Sequence, residues 1–351
     1  MHGARDGAPG DTPGQTSSEV ASLPAIGDDG ANDVWVLADH RPGNVTQCLG
    51  VAEALGMPFS VKSIRYNPLA RLPNWVLGAT TLHVDRKQSA VLTFPWPRLV
   101  IAAGRRTAPI LRTIGRKSGA FTVQCMWPGP PCDDIDLVVV PEHDGIAADE
   151  NIFRTVGTPN RASAQRLEPE AALWRPRLTH LPRPWIAVLV GGGRGVVPDQ
   201  AAILGQRTSA LARRLGGSLL ATTSPRTSTE ATSSFLTAIE GPAYRHIWAP
   251  KIENPYLGFL GLADIIVVTG DSTSMCSEAC GTGKPVYIHA PDAFTLEKHA
   301  RLHKSLFARG CARPLSSAFA HGAETWTYQP LNEAVRVAAE IRRRLDQRAH
   351  A

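Results

Sequence analysis

Residues 263–288 read ADIIVVTGDSTSMCSEACGTGKPVYI, and this stretch decides the fold. The apolar run at its start predicts a buried strand, which turns at Gly270 into a short helix. Gly281 and Gly283 end that helix, and Pro285 leads into a second apolar run. A strand, a helix and another strand in this order are typical of a parallel sheet.

The same alternation of short apolar runs and helical patterns recurs through the chain. Continuous apolar runs such as VWVLA and WIAVLV indicate strands that are buried on both faces of a sheet. Right-handed crossovers between such strands give doubly wound, Rossmann-like α/β domains. The proline-rich segment WRPRLTHLPRP interrupts the pattern near the middle of the chain, so we place a linker there.

The chain therefore divides into two domains of similar size, which suits its 351 residues. Gly, Pro, Ser and Asp dominate the N-terminal tail, which has too little apolar surface to fold alone. Between two facing domains lies a cleft, lined by the loops at the carboxyl ends of both sheets. The predicted segments are a disordered tail over 1–33, a first domain over 34–175, a linker over 176–184, a second domain over 185–330 and a C-terminal helix over 331–351.

Charge and cysteine content argue against several classes of protein. The formal charge is only +6, from 37 Lys and Arg against 31 Asp and Glu, so we expect no nucleic-acid partner. The six cysteines form no CxxC pair and the histidines are scattered, so we expect no metal site. Apolar runs are too short for a transmembrane segment, and the tail lacks the apolar core of a signal peptide. We expect a soluble cytoplasmic protein; peripheral membrane contact and a protein partner stay open.

The helix start in the quoted stretch is the first candidate ligand site. Free backbone N–H groups and the positive end of the helix dipole lie there, and Ser272, Thr273 and Ser274 add hydroxyl donors. This combination suits a phosphate or diphosphate, and Glu278 could bind two vicinal hydroxyls, as on a ribose. The alternative is a merely capped helix with Glu278 in water. The carboxylate of Asp271 would repel an anion unless it is turned aside.

Two further loops in the second half also follow predicted strands. GGGRG allows the backbone to approach a phosphate and adds an arginine, although it lacks the helix-opening glycine of the dinucleotide fingerprint. TTSPRTSTE places another arginine where it could neutralise a phosphate. A plain turn and a capped helix with a solvated arginine are the alternatives. The residues that we assign to ligand binding in these loops are Gly192, Gly193, Arg194, Ser224 and Arg226.

The first half supplies the other side of the predicted cleft. In the loop ADHRPGN, Gly43 permits a tight turn and Asn44 suits the N-cap of the following helix. His40 is a base that titrates near neutral pH and could remove a proton from an acceptor hydroxyl, the alternative being a merely exposed histidine. Arg105 and Arg106 follow another predicted strand, where at least one of them could contact an anion.

These segments resemble known families. GGGRG and GDSTSMCSEACGTGKP are similar to motifs of the two-domain GT-B glycosyltransferases, in particular the peptidoglycan N-acetylglucosaminyltransferase. More specifically, the chain resembles a family of mitochondrial fission proteins named for a plant elongated-mitochondria protein. The resemblance spans roughly Val34 to Ile288. It is carried by VWVLADHRPGNVTQCLGVAEALG, PRLVIAAGRRTAP, DLVVVPEHD, TTSPRTS and ENPYLGFLGLADIIVVTGDSTSMCSEACGTGKPVYI.

The resemblance implies a GT-B-like fold in which Glu278 holds a nucleotide ribose and the turn from Ser272 to Ser274 holds its diphosphate. We therefore predict that the ligand is a nucleotide-sugar or a similar phosphorylated small molecule. An enzyme of this kind would be a metal-independent glycosyltransferase, with the nucleotide-sugar as substrate and no cofactor. A non-catalytic protein-interaction module and, third, a nucleotide-sugar epimerase stay open as alternatives.

Overall fold

The computed structural model describes residues 33–193, 196–291, 296–320 and 325–350. Within these ranges the chain forms two parallel β-sheets of six strands each, one after the other along the sequence. The predicted fold class, two tandem doubly wound α/β domains, is therefore confirmed. The predicted tail, apart from Asp33, and Arg194 lie outside the described residues.

The first sheet is built from β1 (Val34–Ala38), β2 (Phe59–Ser63), β3 (Leu99–Ala103), β4 (Phe121–Cys125), β5 (Leu137–Pro141) and β6 (Ile152–Thr155). Its neighbouring strands are all parallel and lie in the order β2-β1-β3-β4-β5-β6. Every residue of β1, β3, β4 and β5 is buried. Burial on both faces of the sheet explains why these strands are continuously apolar rather than alternating.

The second sheet is built from β7 (Trp185–Val190), β8 (Ser218–Thr223), β9 (Ala243–His246), β10 (Ile265–Thr269), β11 (Val286–His289) and β12 (Arg313–Pro314). All neighbouring strands are again parallel, in the order β12-β11-β10-β7-β8-β9. In both sheets the first strand therefore lies inside the sheet, and the chain continues first to one side of it and then to the other.

Helices cover both faces of each sheet. In chain order they are α1 (Pro42–Leu55), α2 (Asn74–Leu77), α3 (Ala108–Ser118), α4 (Ala164–Trp174), α5 (Pro198–Leu215), α6 (Thr229–Thr237), α7 (Tyr256–Leu262), α8 (Thr273–Gly281), α9 (Glu297–Ala308), α10 (Ser317–Ala320) and α11 (Glu333–Ala349). Short 3-10 turns lie at Pro68–Arg71, Glu142–Asp144 and Arg175–Arg177. The apolar stripe of α1, which includes Cys48, Val51 and Leu55, is buried in the core of the first sheet.

Two helices link the halves of the molecule. α4 follows the first sheet along the chain but packs against α7 of the second, where the ring of Trp174 lies edge-on to Phe259, 6.2 Å between centroids. α11 ends the chain but returns to the first sheet, and Val337, Ala338 and Ile341 are buried in the first sheet's core. The two sheets are thus tied together by more than the segment that joins them in sequence.

The six cysteines are all buried, and none forms a disulfide. Within the four described ranges, no group of three or more His, Cys, Asp or Glu side chains could hold a metal ion. Among the residues that the structure describes, no helix combines the length and the apolar character that crossing a bilayer requires.

Candidate functional site

Four of the five predicted site loops follow the strands on either side of a switch point in each sheet, and the fifth follows β8. The strand order reverses between β1 and β3 in the first sheet and between β7 and β10 in the second. Ligands of open α/β sheets bind in the crevice outside the carboxyl ends of such strands. The loops that flank these two points are residues 39–41 and 104–107 in the first domain and residues 191–193 and 270–272 in the second.

The two domains face each other through the starts of α1 and α8. A Cβ atom placed on Gly43, in the first turn of α1, would lie 3.9 Å from the hydroxyl of Ser274 in α8. One turn further along α8, Ser277 Oγ accepts the backbone N–H of Thr158 at 3.1 Å. Gly43 and Ser274 therefore lie on opposite sides of the candidate cleft. One turn further along α8, at Ser277, the two sides of the cleft are in direct contact.

The glycine-rich loop after β7 is fixed by two threonines. Gly191 N donates to Thr269 Oγ1 at 2.8 Å, and Thr227 Oγ1 donates to the carbonyl of Gly191 at 2.8 Å. A side chain on Gly192 would overlap the backbone of Arg226, so only glycine fits this close approach. The three loops after β7, β8 and β10 form one connected surface, as the sequence predicts for a shared ligand site.

Within this surface the hydroxyl of Ser224 is already used, because it lies 3.0 Å from Thr227 Oγ1 inside its own turn. Arg226, by contrast, is exposed on the same turn. The predicted neutralising role of Arg226 stays a prediction, and Ser224 shapes the loop that presents it.

Asp271 turns its carboxylate away from the helix start and onto the glycine-rich loop. Gly193 N donates to Asp271 Oδ2 at 2.6 Å, and the carboxylate also lies against Gly191. The side chain is buried, and its Oδ1 has no hydrogen-bond partner within the described ranges. The negative charge is thus turned aside, as an anion site at α8 requires, but it stays close to that site.

The first turn of α8 keeps backbone donors available. Ser272 is the N-cap residue, and its Oγ accepts the N–H of Met275 at 3.4 Å. The first intrahelical bond runs from Cys276 N to Ser272 O at 3.0 Å, so the N–H groups of Thr273 and Ser274 precede the helical ladder. These two N–H groups, next to two hydroxyls, give the helix start the donors that a phosphate would need.

Glu278 is buried, so the interpretation that it merely faces water is not supported. The hydroxyl of Tyr256, at the start of α7, donates a short hydrogen bond to Glu278 Oε2. Burial, together with the carboxylate of Glu278, raises the pKa of the Tyr256 phenol, which keeps it a donor. Sequence reasoning missed Tyr256, and its only local signal is the position just after Pro255 at a helix start.

On the first-domain side, His40 lies beside a stack of rings. Its ring is edge-on to Tyr66 at 6.1 Å, and Tyr66 is stacked on His83 at 5.8 Å. The guanidinium of Arg106 lies 5.8 Å from the centre of the Tyr66 ring. The hydroxyl of Tyr66 is buried without a hydrogen-bond partner in the described part of the chain. Four polar side chains thus lie together here, two of them, Tyr66 and His83, unpredicted.

The expectation that Asn44 is an N-cap is wrong. α1 begins at Pro42 with Arg41 as its N-cap residue, and Asp39 Oδ1 accepts the N–H of Arg41 at 2.9 Å. Asn44 is buried and donates to Asp39 Oδ2 at 3.0 Å. It also packs against Gly104, whose φ of 83° and crowded Cβ position suit only glycine. Asn44 therefore joins the ends of β1 and β3, and its predicted ligand contact has no direct support.

Arg105 likewise has a structural partner. Its guanidinium donates to the carbonyls of Leu72 and Ala70 at 2.6 and 2.9 Å, and so holds the loop before α2. Of the two arginines predicted to contact an anion, Arg106 is the one whose guanidinium lies over the Tyr66 ring beside His40.

Acidification should destabilise the protein through its buried histidines. His303, in α9, donates from Nε2 to the carbonyl of Gly270 at 2.9 Å, close to Asp271, His299 and His143. Burial lowers the pKa of His303 from 6.5 to about 4, so the unfolded chain binds more protons between these values. Stability therefore falls as pH drops through this window. We expect the melting temperature to decrease by a few degrees between neutral pH and about pH 5.

His303→Gln should flatten part of this pH dependence, because a neutral side chain removes one of the protonation sites. His180→Gln is the matched control, since His180 is exposed. Melting curves measured by circular dichroism across the pH range would show the difference. A His303→Gln slope equal to that of the wild type would contradict the assignment.

The fold and its cleft define a GT-B-type protein, two Rossmann-like domains facing each other. The solved structure of UDP-GlcNAc 2-epimerase from Methanocaldococcus jannaschii is similar, with a TM-score of 0.52 and 14% identity. The match covers 88% of this chain and 99% of that one. At this identity the similarity is one of fold.

The chain belongs to the mitochondrial fission ELM1 family, whose model matches residues 42–345. It is 32% identical to mitochondrial fission protein ELM1 of Arabidopsis thaliana over 275 residues, which cover 71% of this chain and 64% of that protein. The chain thus spans less than two thirds of the plant relative. It is also 28% identical to the Rickettsia prowazekii protein RP120 over 351 residues, 88% of this chain and 98% of RP120. The resemblance predicted from the sequence motifs is confirmed.

Proposed function

We propose that the protein binds a nucleotide-sugar in the cleft, with the nucleotide held by the second domain. One observation carries the proposal. Glu278 is buried in α8, and the hydroxyl of Tyr256 from α7 holds its carboxylate in place. The same helix, α8, begins at the switch point of the second sheet, and its first N–H groups have no partner within the helix. A carboxylate one to two turns beyond this helix start could accept hydrogen bonds from the ribose hydroxyls of a nucleotide whose diphosphate lies at the start. The M. jannaschii epimerase of similar fold was solved with UDP-GlcNAc and UDP, which supports the ligand class.

The chemistry that this arrangement best supports is glycosyl transfer. An acceptor hydroxyl held by the first domain would lose its proton to His40 while its oxygen forms a bond to the anomeric carbon. The bond from that carbon to the diphosphate oxygen would break, and the nucleoside diphosphate would leave with the bonding electron pair. The dipole of α8 and the exposed Arg226 would stabilise the charge that develops on the leaving group.

A non-catalytic protein-interaction module is the second candidate, and the placement of Asp271 favours it. Its carboxylate already accepts the N–H of Gly193, a backbone donor that a ligand phosphate would otherwise use. A family member that kept the fold but lost its ligand could fill the loop in this way. Such a protein would have no nucleotide affinity and would act through a partner.

Ligand titration separates these candidates. We expect UDP-N-acetylglucosamine, or another sugar nucleotide from a panel with UDP, GDP, ADP and dTDP carriers, to raise the melting temperature. A ligand at about one hundred times its Kd stabilises the native state by about 2.7 kcal/mol. Calorimetric titration would then give the Kd and identify the base and the sugar. If no member of the panel binds, the proposal is overturned in favour of the protein-interaction module.

A further inference from the structure

The segment between β2 and β3 exposes large apolar side chains. Trp75, Leu82 and Phe94 are 72%, 68% and 81% exposed. Half of the exposed large apolar side chains in the described part of the chain lie in this segment. Its other members are Leu69, Leu72, Val76 and Val91. Scattered exposed apolar residues are ordinary, but such a concentration marks an interaction surface.

Hydrogen bonds from Asn74 and Arg105 fix the backbone beneath these exposed side chains. Asn74 is buried at the start of α2, and its Nδ2 donates to the carbonyls of Arg105 and Pro128 at 3.0 and 2.9 Å. Arg105 in turn donates to the carbonyls of Leu72 and Ala70. The backbone of this turn is therefore fixed from the inside, while the side chains of Leu72 and Trp75 remain outside.

A second set of bonds brings Leu82 next to this turn. Asn67 accepts the N–H of Leu69 at 3.0 Å through its side-chain oxygen. The amide nitrogen of the same side chain donates to the carbonyl of Leu82 at 2.7 Å. The side chain of Asn67 thus holds Leu69 and Leu82 next to each other.

Nearly all of the net charge of the chain lies on the same segment. Between β2 and β3, counting the ends of the two strands, six Lys or Arg stand against a single acid, Asp85, which gives five of the net charge of +6. Arg71, Arg86 and Lys87 are exposed among the apolar side chains. We call these three residues, together with Leu69, Leu72, Trp75, Val76 and Leu82, the apolar-basic surface.

We propose that the apolar-basic surface binds a membrane that contains anionic lipid. Leucine side chains can enter the acyl boundary, Trp75 suits the headgroup level, and the basic residues suit acidic headgroups. The charge of the segment is predominantly positive, with Asp85 as its single acid. Positive charge spread over a long segment suits the continuous negative charge of an anionic membrane. A protein partner would instead need acidic residues placed opposite individual basic side chains.

The position of this surface relates it to the cleft. Arg105, which holds its inner side, lies two residues after β3 at the switch point of the first sheet and precedes Arg106, whose guanidinium lies over the Tyr66 ring. A membrane bound here would lie next to the first-domain side of the cleft. The surface and the nucleotide site are nevertheless separate, so either proposal can fail without the other.

Vesicle co-sedimentation of the full chain tests the inference. We expect the protein to pellet with phosphatidylcholine vesicles that contain about one third phosphatidylglycerol, and far less with phosphatidylcholine alone. Higher salt should weaken the binding, because it screens the headgroup charge. The double variant Trp75→Ser/Leu82→Ser and the double variant Arg86→Ala/Lys87→Ala should each lower the partition coefficient about fivefold.

The matched control is Ile247→Ser/Ile252→Ser, which removes two apolar side chains that are also exposed, on the second domain. It should bind vesicles like the wild type, and melting curves should show that all three double variants remain folded. Quenching of tryptophan fluorescence by brominated lipid should be reduced in Trp75→Ser/Leu82→Ser. If the wild type does not pellet with anionic vesicles, or if this variant pellets equally well, the inference is overturned. Self-association that only this variant abolishes, without vesicle binding, would assign the surface to a protein contact instead.

Discussion

Replacing Glu278 with alanine should lower the affinity for the bound sugar nucleotide about 10- to 100-fold. Hydrogen bonds to a charged group contribute about 1.5–3 kcal/mol, and the ribose hydroxyls would lose their acceptor. Titration calorimetry on the wild type and on Glu278→Ala measures the ratio directly. In the thermal assay the variant should show little or no rise in melting temperature at the ligand concentration that stabilises the wild type.

Two further variants make this result interpretable. Tyr256→Phe keeps the carboxylate but removes the hydroxyl that holds it, so it should weaken binding by a smaller factor than Glu278→Ala. Glu278→Gln keeps the size of the side chain, which controls for a cavity at a buried position. An affinity that is unchanged in Glu278→Ala, while the unliganded variant melts like the wild type, would place the ribose elsewhere.

Replacing Asp271 with asparagine should have the opposite effect and raise the affinity about 30-fold. The buried carboxylate lies on the loop beside α8, where it would repel a diphosphate. Like charges roughly 8 Å apart interact by about 2 kcal/mol at the effective dielectric of a protein, and the substitution removes that repulsion. The amide oxygen of asparagine can still accept the N–H of Gly193, so the loop should keep its shape.

Affinity is again the measurement, now compared between UDP and the free nucleoside. Asp271→Asn should tighten the binding of UDP and leave that of uridine unchanged, because uridine carries no phosphate charge. Equal Kd values for UDP in the wild type and the variant would mean that the diphosphate does not lie near this carboxylate. Loss of all binding would mean that Asp271 itself contacts the ligand.

The fold could be predicted well from the sequence, because the pattern of apolar runs and helix starts is local. Continuous apolar runs such as β1 and β10 can only be buried on both faces, and each is followed by a helix start with small or polar residues. The loops that flank the switch points follow from this alternation, so the neighbourhood of Gly192 and Ser272 could be predicted without coordinates.

The partners of individual side chains could not be predicted, since they depend on contacts that are distant in sequence. Tyr256 reaches Glu278 from another helix, and Tyr66 lies beside His40 only after the first sheet has formed. Arg105 is a further case, because a strand-end arginine suggests an anion contact until the carbonyls of a preceding loop are seen around it. Burial decides such roles, and burial is a property of the finished fold.

The return of α11 to the first sheet bears on how the protein is made. The apolar face that Val337, Ala338 and Ile341 cover belongs to the first sheet, which is translated before the second. The helix that covers it, α11, is translated only after the second sheet, so the first domain stays incompletely closed until α11 has been made. A nascent or prematurely terminated chain that lacks α11 would present this apolar face to chaperones and proteases.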